Sequence, residues 1–300
     1  MKQKVKDIIT HILESKDIIA YILILPASMV LLFVLFYPIL STILLSFGID
    51  FSGGIFTFNY YLRLFTDNEF WSTIINTIKF VSFSVSFQLV LGLIVALLLN
   101  KPVKGIVFFR VIALLPWTIP RVVVGSNWRW MYNSTFGIIN YTLLKLGLVS
   151  ENILWLSTKS TALYSIIIAN IWRGFPFPML FILAGLQMIP KSLYEAASID
   201  GASDWSKFFY ITLPNLKKTI IVVLMLSTIW EFRQIDLIMT MTGGGPGTLT
   251  DVLATSIYKQ YFHFFQFNYA SAMAITMSAM MLIVSIPYVR IILSSYEGGQ

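Results

Sequence analysis

Long apolar stretches constrain this chain more than any other feature of its sequence. A helix needs about 20 apolar residues to cross a hydrocarbon core of about 30 Å. None of the long stretches alternates between apolar and polar residues as the strands of a membrane barrel do. We therefore predict an all-α membrane protein with six transmembrane helices. The predicted spans are Ile18–Phe47, Thr73–Leu99, Ile106–Trp128, Thr161–Met188, Thr219–Met241 and Ala270–Leu293.

The composition agrees with a membrane location and excludes several other classes. Hydrophobic residues make up 57% of the chain and charged residues only 12%, which is too apolar for an ordinary soluble core. The net charge is +7, but Lys and Arg flank the apolar stretches instead of forming one basic face, so nucleic acid is not an expected partner. The chain has no cysteine, which excludes disulfides and thiolate metal sites.

The distribution of Lys and Arg predicts the orientation of the chain in the membrane. With the N-terminus in the cytoplasm, eleven basic residues lie inside and four lie outside. We therefore predict that both termini are cytoplasmic. The inside residues are Lys2, Lys4, Lys6, Lys16, Lys101, Lys104, Lys191, Lys207, Lys217, Lys218 and Arg290; the outside residues are Arg63, Lys145, Lys159 and Lys259.

The same pattern divides the chain into four parts. A cytoplasmic N-terminal segment (1–17) precedes the first transmembrane helix (18–47). That helix is expected to be retained, because its apolar run is too long for a signal peptide and has no cleavage pattern. A transmembrane core (73–293) follows, interrupted by a polar segment (189–218), and a cytoplasmic tail (294–300) ends the chain.

The polar segment predicts two short helices joined by a bend. Ser192 stands three residues before Glu195, which is the spacing of a capping box. Gly201 suits a left-handed helix end, Ser203 can cap a second helix, and Pro214 is expected to end that helix. The small side chains after Glu195 would let another protein approach closely. A capped surface turn without any partner is the alternative.

The polar segment also carries a motif. Glu-Ala-Ala is followed after three residues by Gly, and after nine more residues by Ile-x-Leu-Pro. With these residues at this spacing, the chain resembles ABC importer permeases. The flanking stretches "RGFPFPML", "AGLQMIP" and "TGGGPGTLTDVL" are similar to the carbohydrate-uptake branch, of the maltose and glycerol-3-phosphate type. The resemblance covers roughly residues 75–295 and is weak over the first span. The matched positions are Glu195, Ala196, Ala197, Gly201, Ile211, Leu213 and Pro214.

The resemblance implies a fold and a function. The fold would be the type I ABC importer fold in its minimal six-span form, without extra N-terminal spans or a large external domain. The chain would be a permease subunit of an ATP-driven, binding-protein-dependent sugar or oligosaccharide importer in a bacterial or archaeal cell membrane. The polar segment would be its coupling helix, seated in a groove of an ATPase subunit.

The resemblance also implies partners. A second permease subunit, two ATP-binding cassette subunits, an external substrate-binding protein and membrane lipid are expected. No cofactor is expected on this chain, and ATP and Mg would bind the ATPase subunits. The chain itself has no phosphate-binding loop, because "GGGPG" at Gly243–Gly247 is not followed by Lys-Ser/Thr. That stretch is expected to be a flexible external turn, with contact to the binding protein as a further possibility.

A substrate site is predicted near the middle of the membrane. Arg173 and Glu231 lie deep in the fourth and fifth spans, and Pro176 and Pro178 are expected to break the fourth span beside Arg173. A helical spacing places a hydroxyl, an indole, a carboxylate and an amide on one face of the fifth span, a mixture that suits a sugar. The members of that face are Ser227, Trp230, Glu231 and Gln234. The resemblance adds Arg173, Gly174 and Phe177 as substrate contacts.

Several alternatives remain open at this stage. Arg173 and Glu231 could pair with each other, or Arg173 could meet an acidic group on a uronate or on a phosphorylated substrate such as glycerol-3-phosphate. Arg121 could line the cavity or extend outward, and the sequence slightly favours the second. The role of Asp236 is open, whereas four methionines on the last span indicate helix packing. They are Met273, Met277, Met280 and Met281.

Two other classes of protein fit the sequence less well. A membrane-embedded enzyme needs catalytic groups at one depth, and the acidic residues here are dispersed. His11 and His263 are isolated and indicate neither a metal site nor a catalytic base. An ion-driven carrier needs internally repeated halves, and none is evident.

Overall fold

The computed structural model describes residues 16–50 and 53–297, which form helices and connecting loops without any β-strand. Residues 1–15 and 298–300 lie outside the described residues, and they include most of the predicted N-terminal segment and the end of the predicted tail. The helices are α1 Lys16–Ser46, α2 Asn59–Thr66, α3 Asn68–Leu99, α4 Ile106–Thr118, α5 Arg121–Met131, α6 Ile138–Lys145, α7 Ala162–Gly174, α8 Pro176–Met188, α9 Lys191–Ile199, α10 Asp204–Lys207, α11 Leu213–Phe232, α12 Asp236–Met241, α13 Leu253–Phe262 and α14 Phe267–Glu297.

The predicted set of six spans is confirmed, with one span strongly bent. Within the described ranges, five helical segments are long and apolar enough to cross a membrane, and the bent pair of α4 and α5 passes the same test when the two are taken together. The second span begins earlier than predicted, because the Asp67 carboxylate accepts hydrogen bonds from the backbone N–H groups of Glu69 and Phe70 at 2.9 and 3.3 Å. The five segments are Leu23–Ser46, Asn68–Leu99, Ala162–Met188, Asp204–Phe232 and Phe267–Ile291.

The third span is not the straight helix that the sequence predicts. Its two halves, α4 and α5, meet at an angle of 91°. Ile119 has an extended backbone with ψ of 131°, which is the conformation that a following proline, here Pro120, imposes on its neighbour. The bend therefore follows from the proline and leaves the last carbonyl groups of α4 without helical partners.

The fourth span continues through the two prolines that were expected to break it. Phe175 keeps helical backbone angles between α7 and α8. Its N–H group donates to the Ile171 carbonyl at 3.0 Å, and its own carbonyl accepts from Met179 at 3.1 Å. The first bond precedes the prolines, and the second spans both Pro176 and Pro178. The helix is therefore interrupted at Phe175 alone, and the predicted break is wrong.

The fifth span is continuous with the second helix of the polar segment, so Pro214 does not end a helix as predicted. The stretch from Phe208 to Thr212 is a π-helical turn, in which the Leu213 N–H group donates to the Phe208 carbonyl. A widened turn gives the proline ring room beside the preceding carbonyl groups. A single helical rod therefore joins the polar segment to the membrane part of the chain.

The same span ends earlier than predicted, at Phe232 instead of Met241. Its last turn tightens, because the N–H groups of Arg233 and Gln234 donate to carbonyls three residues back, each at 3.2 Å. A separate short helix, α12, begins at Asp236. Gln234 therefore lies beyond the helical face on which the sequence analysis placed it.

Helix α3 lies at the centre of the subunit. It packs against α7, α8 and α11, and Gly92 lies so close to α8 that an added Cβ would be 2.8 Å from the Met179 backbone nitrogen. Met277 packs against the buried cluster of α3 and α11 residues, and Met273 is itself buried. The packing role predicted for the methionines on α14 is thus confirmed.

The glycine-rich stretch between α12 and α13 is held in place, so the prediction of a flexible turn is wrong. The Thr250 hydroxyl donates to the Gly245 carbonyl at 2.9 Å, and the Asn76 side chain donates to the Leu249 carbonyl at 3.1 Å. A buried ion pair between Lys259 and Asp251, with an N···O distance of 2.7 Å, joins the end of the loop to α13. Bonds within the loop, from α3 and from α13 therefore hold this loop.

Candidate functional site

A cavity of about 560 Å³ lies where the interrupted helices meet. The end of α4, the start of α5, the end of α7, the end of α11 and the start of α12 each contribute to its wall. Helix ends expose backbone groups and carry polar residues, so a polar cavity forms inside an otherwise apolar bundle. The lining residues are Trp117, Thr118, Arg121, Arg173, Trp230, Arg233 and Asp236.

Arg173 is anchored by the bend of the third span. Its Nε donates to the Ile119 carbonyl and its Nη2 to the Trp117 carbonyl, both at 3.4 Å. These carbonyls belong to the end of α4, which carries the negative end of a helix dipole. The guanidinium is therefore positioned at the cavity wall while most of its donors stay available.

Arg121 lines the cavity and does not extend outward, contrary to the favoured expectation. The bend places it at the first position of α5, beside the end of α11. Its Nη1 donates to the Gln234 Oε1 atom. Gln234 is fully buried, and its Nε2 atom has no hydrogen-bond partner among the described residues. Gln234 thus supports Arg121 from behind the wall.

Glu231 does not pair with Arg173. Its carboxylate is 6% exposed and accepts from Gln88 Nε2 at 3.0 Å and from Asn170 Nδ2 at 2.7 Å. The Asn170 amide also donates to the Ser84 hydroxyl at 3.1 Å. No ion pair within 4.0 Å joins the Glu231 carboxylate to the Arg173 guanidinium. The proposed structural ion pair is therefore absent, and amide groups satisfy the carboxylate.

Aromatic side chains form one side of the cavity. The indoles of Trp117 and Trp230 are 38% and 39% exposed there. The Phe177 ring lies behind them, with its centroid 6.4 Å from Trp117 and 4.6 Å from Trp230. Because Phe177 fixes both indoles, the cavity presents two supported aromatic faces.

The structure brings only two of the seven predicted substrate residues to the cavity wall, namely Arg173 and Trp230. Ser227, Phe177, Glu231 and Gln234 are buried behind the wall. Gly174 packs against Gln88, since an added Cβ would lie 2.3 Å from its Nε2. Direct substrate contact by these five residues remains a prediction.

Sequence reasoning did not assign five of the lining residues: Trp117, Thr118, Arg121, Arg233 and Asp236. The sequence signal for the first three is the proline pair Pro116 and Pro120, because a proline disfavours a continuous helix. Arg233 and Asp236 flank the end of α11, for which the sequence carries neither glycine nor proline.

The polar segment forms the predicted helix–bend–helix, with one local difference. Helix α9 begins after Pro190 and no side chain caps it, so the predicted capping box at Ser192 does not form. At the other end Gly201 has φ of 78° and closes a double hydrogen-bonded turn, in which Ala202 N–H donates to the Ala197 carbonyl at 2.9 Å. The Ser203 hydroxyl accepts from Ser206 N–H at 3.2 Å, so this predicted cap is confirmed.

The motif residues of the polar segment divide into an exposed and a packed set. Glu195 and Ala196 are exposed on α9, whereas Ile211 is half-buried against the core. A hydrogen bond of 2.9 Å between the Tyr194 and Thr212 hydroxyls ties α9 to the helical rod of the fifth span. The exposed face is thus mechanically connected to the membrane part of the chain.

Comparisons with known proteins agree on one family. Residues 88–293 match the model of the family described as binding-protein-dependent transport system inner membrane component. The chain is 38% identical to the trehalose/maltose transport system permease protein MalF of Thermococcus litoralis, covering 91% of this chain and 93% of that protein. It is 37% identical to the sulfoquinovosyl glycerol transport system permease protein SmoG of Agrobacterium fabrum, covering 92% and 90%.

A solved structure shares the fold. A chain of a bacterial ABC transporter involved in the import of the acidic polysaccharide alginate superposes with a TM-score of 0.82, at 24% identity, over 96% of this chain and 99% of that chain. The predicted type I importer fold is confirmed, and the chain is a multi-pass transport subunit and not an enzyme. The family match and the two relatives lead to one conclusion: this chain belongs to the family of binding-protein-dependent transport system inner membrane components.

Proposed function

We propose that this chain is one of two permease subunits in an ATP-driven importer of sugars or oligosaccharides. Two ATP-binding cassette subunits would bind ATP and Mg, and an external binding protein would deliver the substrate. A second, similar permease would complete the translocation pathway. The chain would lie in a bacterial or archaeal cell membrane, surrounded by lipid, with both termini in the cytoplasm.

The exposed polar segment is the observation that carries this proposal. Ile199 and Tyr210 are 87% and 81% exposed, and Trp205 is 73% exposed. Large apolar side chains that are exposed on the polar segment indicate a docking site for another protein. The exposed small residue Ala196 lets a partner approach the same surface closely. An ATPase subunit seated here could move the fifth span directly, because the helix from Asp204 to Phe232 is continuous.

The cavity supports the transport of a saccharide. A sugar ring offers a C–H face to an aromatic plane and hydroxyl groups to polar side chains. The supported indoles of Trp117 and Trp230 provide such planes, and Thr118 adds a hydroxyl. The names of the relatives support the same class, since MalF belongs to a trehalose/maltose system and SmoG to a sulfoquinovosyl glycerol system.

Replacement of Gly201 tests the coupling role. Its φ of 78° strains any β-branched residue, although no atom lies within 4 Å of an added Cβ. We expect Gly201→Val to distort the bend, so that the reconstituted complex hydrolyses ATP with little substrate uptake. Gly201→Asn is the matched control, because asparagine tolerates left-handed angles.

The measurement is ATPase activity and labelled-sugar uptake by the complete transporter in proteoliposomes. Uptake lost in Gly201→Val and kept in Gly201→Asn supports coupling through this segment. Normal uptake in the valine variant would contradict the coupling role. Absence of ATP-dependent uptake of any saccharide by the wild-type complex would contradict the proposed function as a whole.

A further inference from the structure

We propose that the cavity selects saccharides that carry an anionic group, such as the carboxylate of a uronate. This inference rests on the proposed function and specifies its substrate class. Three guanidinium groups and a single carboxylate line the cavity, those of Arg121, Arg173, Arg233 and Asp236. A neutral sugar needs hydroxyl partners and aromatic planes, but it does not need this excess of positive charge.

Within the described residues no carboxylate forms an ion pair with the three guanidiniums, and Glu231 and Asp236 offset their charge only in part. The ion pairs of Lys207 with Asp204 and of Lys259 with Asp251 both lie outside the cavity. Glu231 is the buried acid nearest to Arg233 in the sequence. Its carboxylate oxygens already accept hydrogen bonds from Gln88 and Asn170. The positive charge of the cavity is therefore available to a ligand.

The donors of the guanidiniums are also largely free. Arg121 uses one N–H group on Gln234, and Arg173 makes two long bonds of 3.4 Å to backbone carbonyls. Arg233 is exposed at the end of α11. A guanidinium carries five donors in a planar fork that matches a carboxylate or another oxyanion with two parallel hydrogen bonds. The cavity can thus offer bidentate recognition from more than one side.

The arginines and the indoles occupy the same cavity. Arg173 is bonded to the carbonyl of Trp117, and Arg233 follows Trp230 by three residues in the chain. A ring stacked on either indole would place its substituents near a guanidinium. A saccharide with an acidic substituent is the ligand that uses both features at once.

The test compares neutral oligosaccharides with uronate oligosaccharides of equal length as substrates of the complete transporter in proteoliposomes. Arg233→Gln removes one charge, and its exposed side chain makes that replacement tolerable for folding. Arg121→Lys keeps the charge and loses the planar fork. Arg129→Gln is the matched control, because Arg129 is an exposed arginine of α5 that does not line the cavity.

We expect the wild-type complex to prefer uronates. Arg233→Gln and Arg121→Lys should raise the KM for uronates by about tenfold, and should raise the KM for neutral sugars by a smaller factor. Arg129→Gln should leave both values unchanged.

Two results would overturn the inference and leave the proposed function intact. One is ATP-driven uptake of neutral sugars with no preference for uronates. The other is a loss of complex assembly in the variants without any charge-selective effect, which would show that the arginines pair with carboxylates of the second permease. No ATP-dependent uptake of any saccharide would instead overturn the proposed function together with this inference.

Discussion

Glu231 lies inside the subunit without a cation in contact, and two amide side chains take the place of a charged partner. Gln88 and Asn170 donate to its two carboxylate oxygens at 3.0 and 2.7 Å. Gln88 also donates to the Asn170 carbonyl at 3.2 Å, so three spans meet in one hydrogen-bond network. Buried polar networks of this kind stabilise a membrane bundle when every member is satisfied.

Removal of the Glu231 carboxylate should therefore destabilise the subunit. Glu231→Ala leaves one N–H group of each amide, those of Gln88 and Asn170, without an acceptor, at a cost of about 1–3 kcal/mol for each stranded donor. We expect a lower thermal midpoint for the purified complex. Asp236→Ala is the control, since Asp236 is an exposed acid whose removal strands no buried donor. Equal midpoints for the two variants would contradict the structural role of Glu231.

The sequence identifies Glu231 and Arg173 as ionisable residues deep in the membrane spans. It does not predict which side chains each of them contacts. Depth estimates brought both to the middle of the membrane, and opposite charges there favoured contact. The partners that Glu231 has are neutral amides, Gln88 and Asn170, and a single amide in an apolar span gives only a weak sequence signal. Which neighbour satisfies a buried acid depends on helix rotation, which apolar spans do not fix.

Breaks in helices create the cavity, and they were predictable to different degrees. The bend before Pro120 has a local cause, because a residue before proline avoids helical angles. The end of α11 at Phe232 has no such marker, because neither glycine nor proline follows it before Gly243. At Pro176 the local rule predicted a break that the neighbouring hydrogen bonds prevent. Spans were thus predictable from hydropathy, whereas their interruptions depend on packing.

Close contact between α3 and α8 depends on Gly92 and gives a test at the level of elements. An added Cβ would lie 2.8 Å from the Met179 nitrogen and 3.1 Å from the Phe175 carbonyl oxygen, neither of which can move aside. We expect Gly92→Ala to separate the two helices and to destabilise the complex by about 1–3 kcal/mol. The loss should occur although alanine favours the helix itself.

Gly185→Ala is the matched control for this substitution. Its added Cβ would meet side-chain atoms and no backbone, namely the end of Leu216 at 2.9 Å and the Thr219 hydroxyl at 3.1 Å. Thermal stability and yield of the purified complex measure the difference. A Gly185→Ala variant as unstable as Gly92→Ala would argue against a special role for the backbone contact of α3 and α8.

At the scale of the whole molecule, transport requires that the cavity and the polar segment respond to one another. Helix α11 carries Trp230 at the cavity and continues without interruption to Asp204 in the polar segment. Tyr194 ties the exposed helix α9 to the same rod. A displacement of the polar segment would therefore move the cavity wall through one continuous helical segment. This requires that the polar segment faces the compartment in which ATP is hydrolysed.

The orientation of the subunit decides whether that arrangement can work, and cysteine labelling tests it. Glu151 and Ala196 are both exposed and lie on either side of one span, Ala162–Met188. The chain has no cysteine, so Glu151→Cys and Ala196→Cys each introduce a single reactive thiol. Because basic residues cluster on the side of Ala196, that side should be cytoplasmic.

We expect a membrane-impermeant maleimide to label Glu151→Cys in right-side-out vesicles and Ala196→Cys only in inside-out vesicles. Labelling is measured on the purified chain, and the cysteine-free parent is the blank. The thiol at position 196 should become protected when the ATPase subunits are bound, because the exposed face of α9 is then covered. Labelling of Ala196→Cys from outside would place the polar segment on the external side, away from cytoplasmic ATP. The fifth span could then not connect ATP hydrolysis to the cavity.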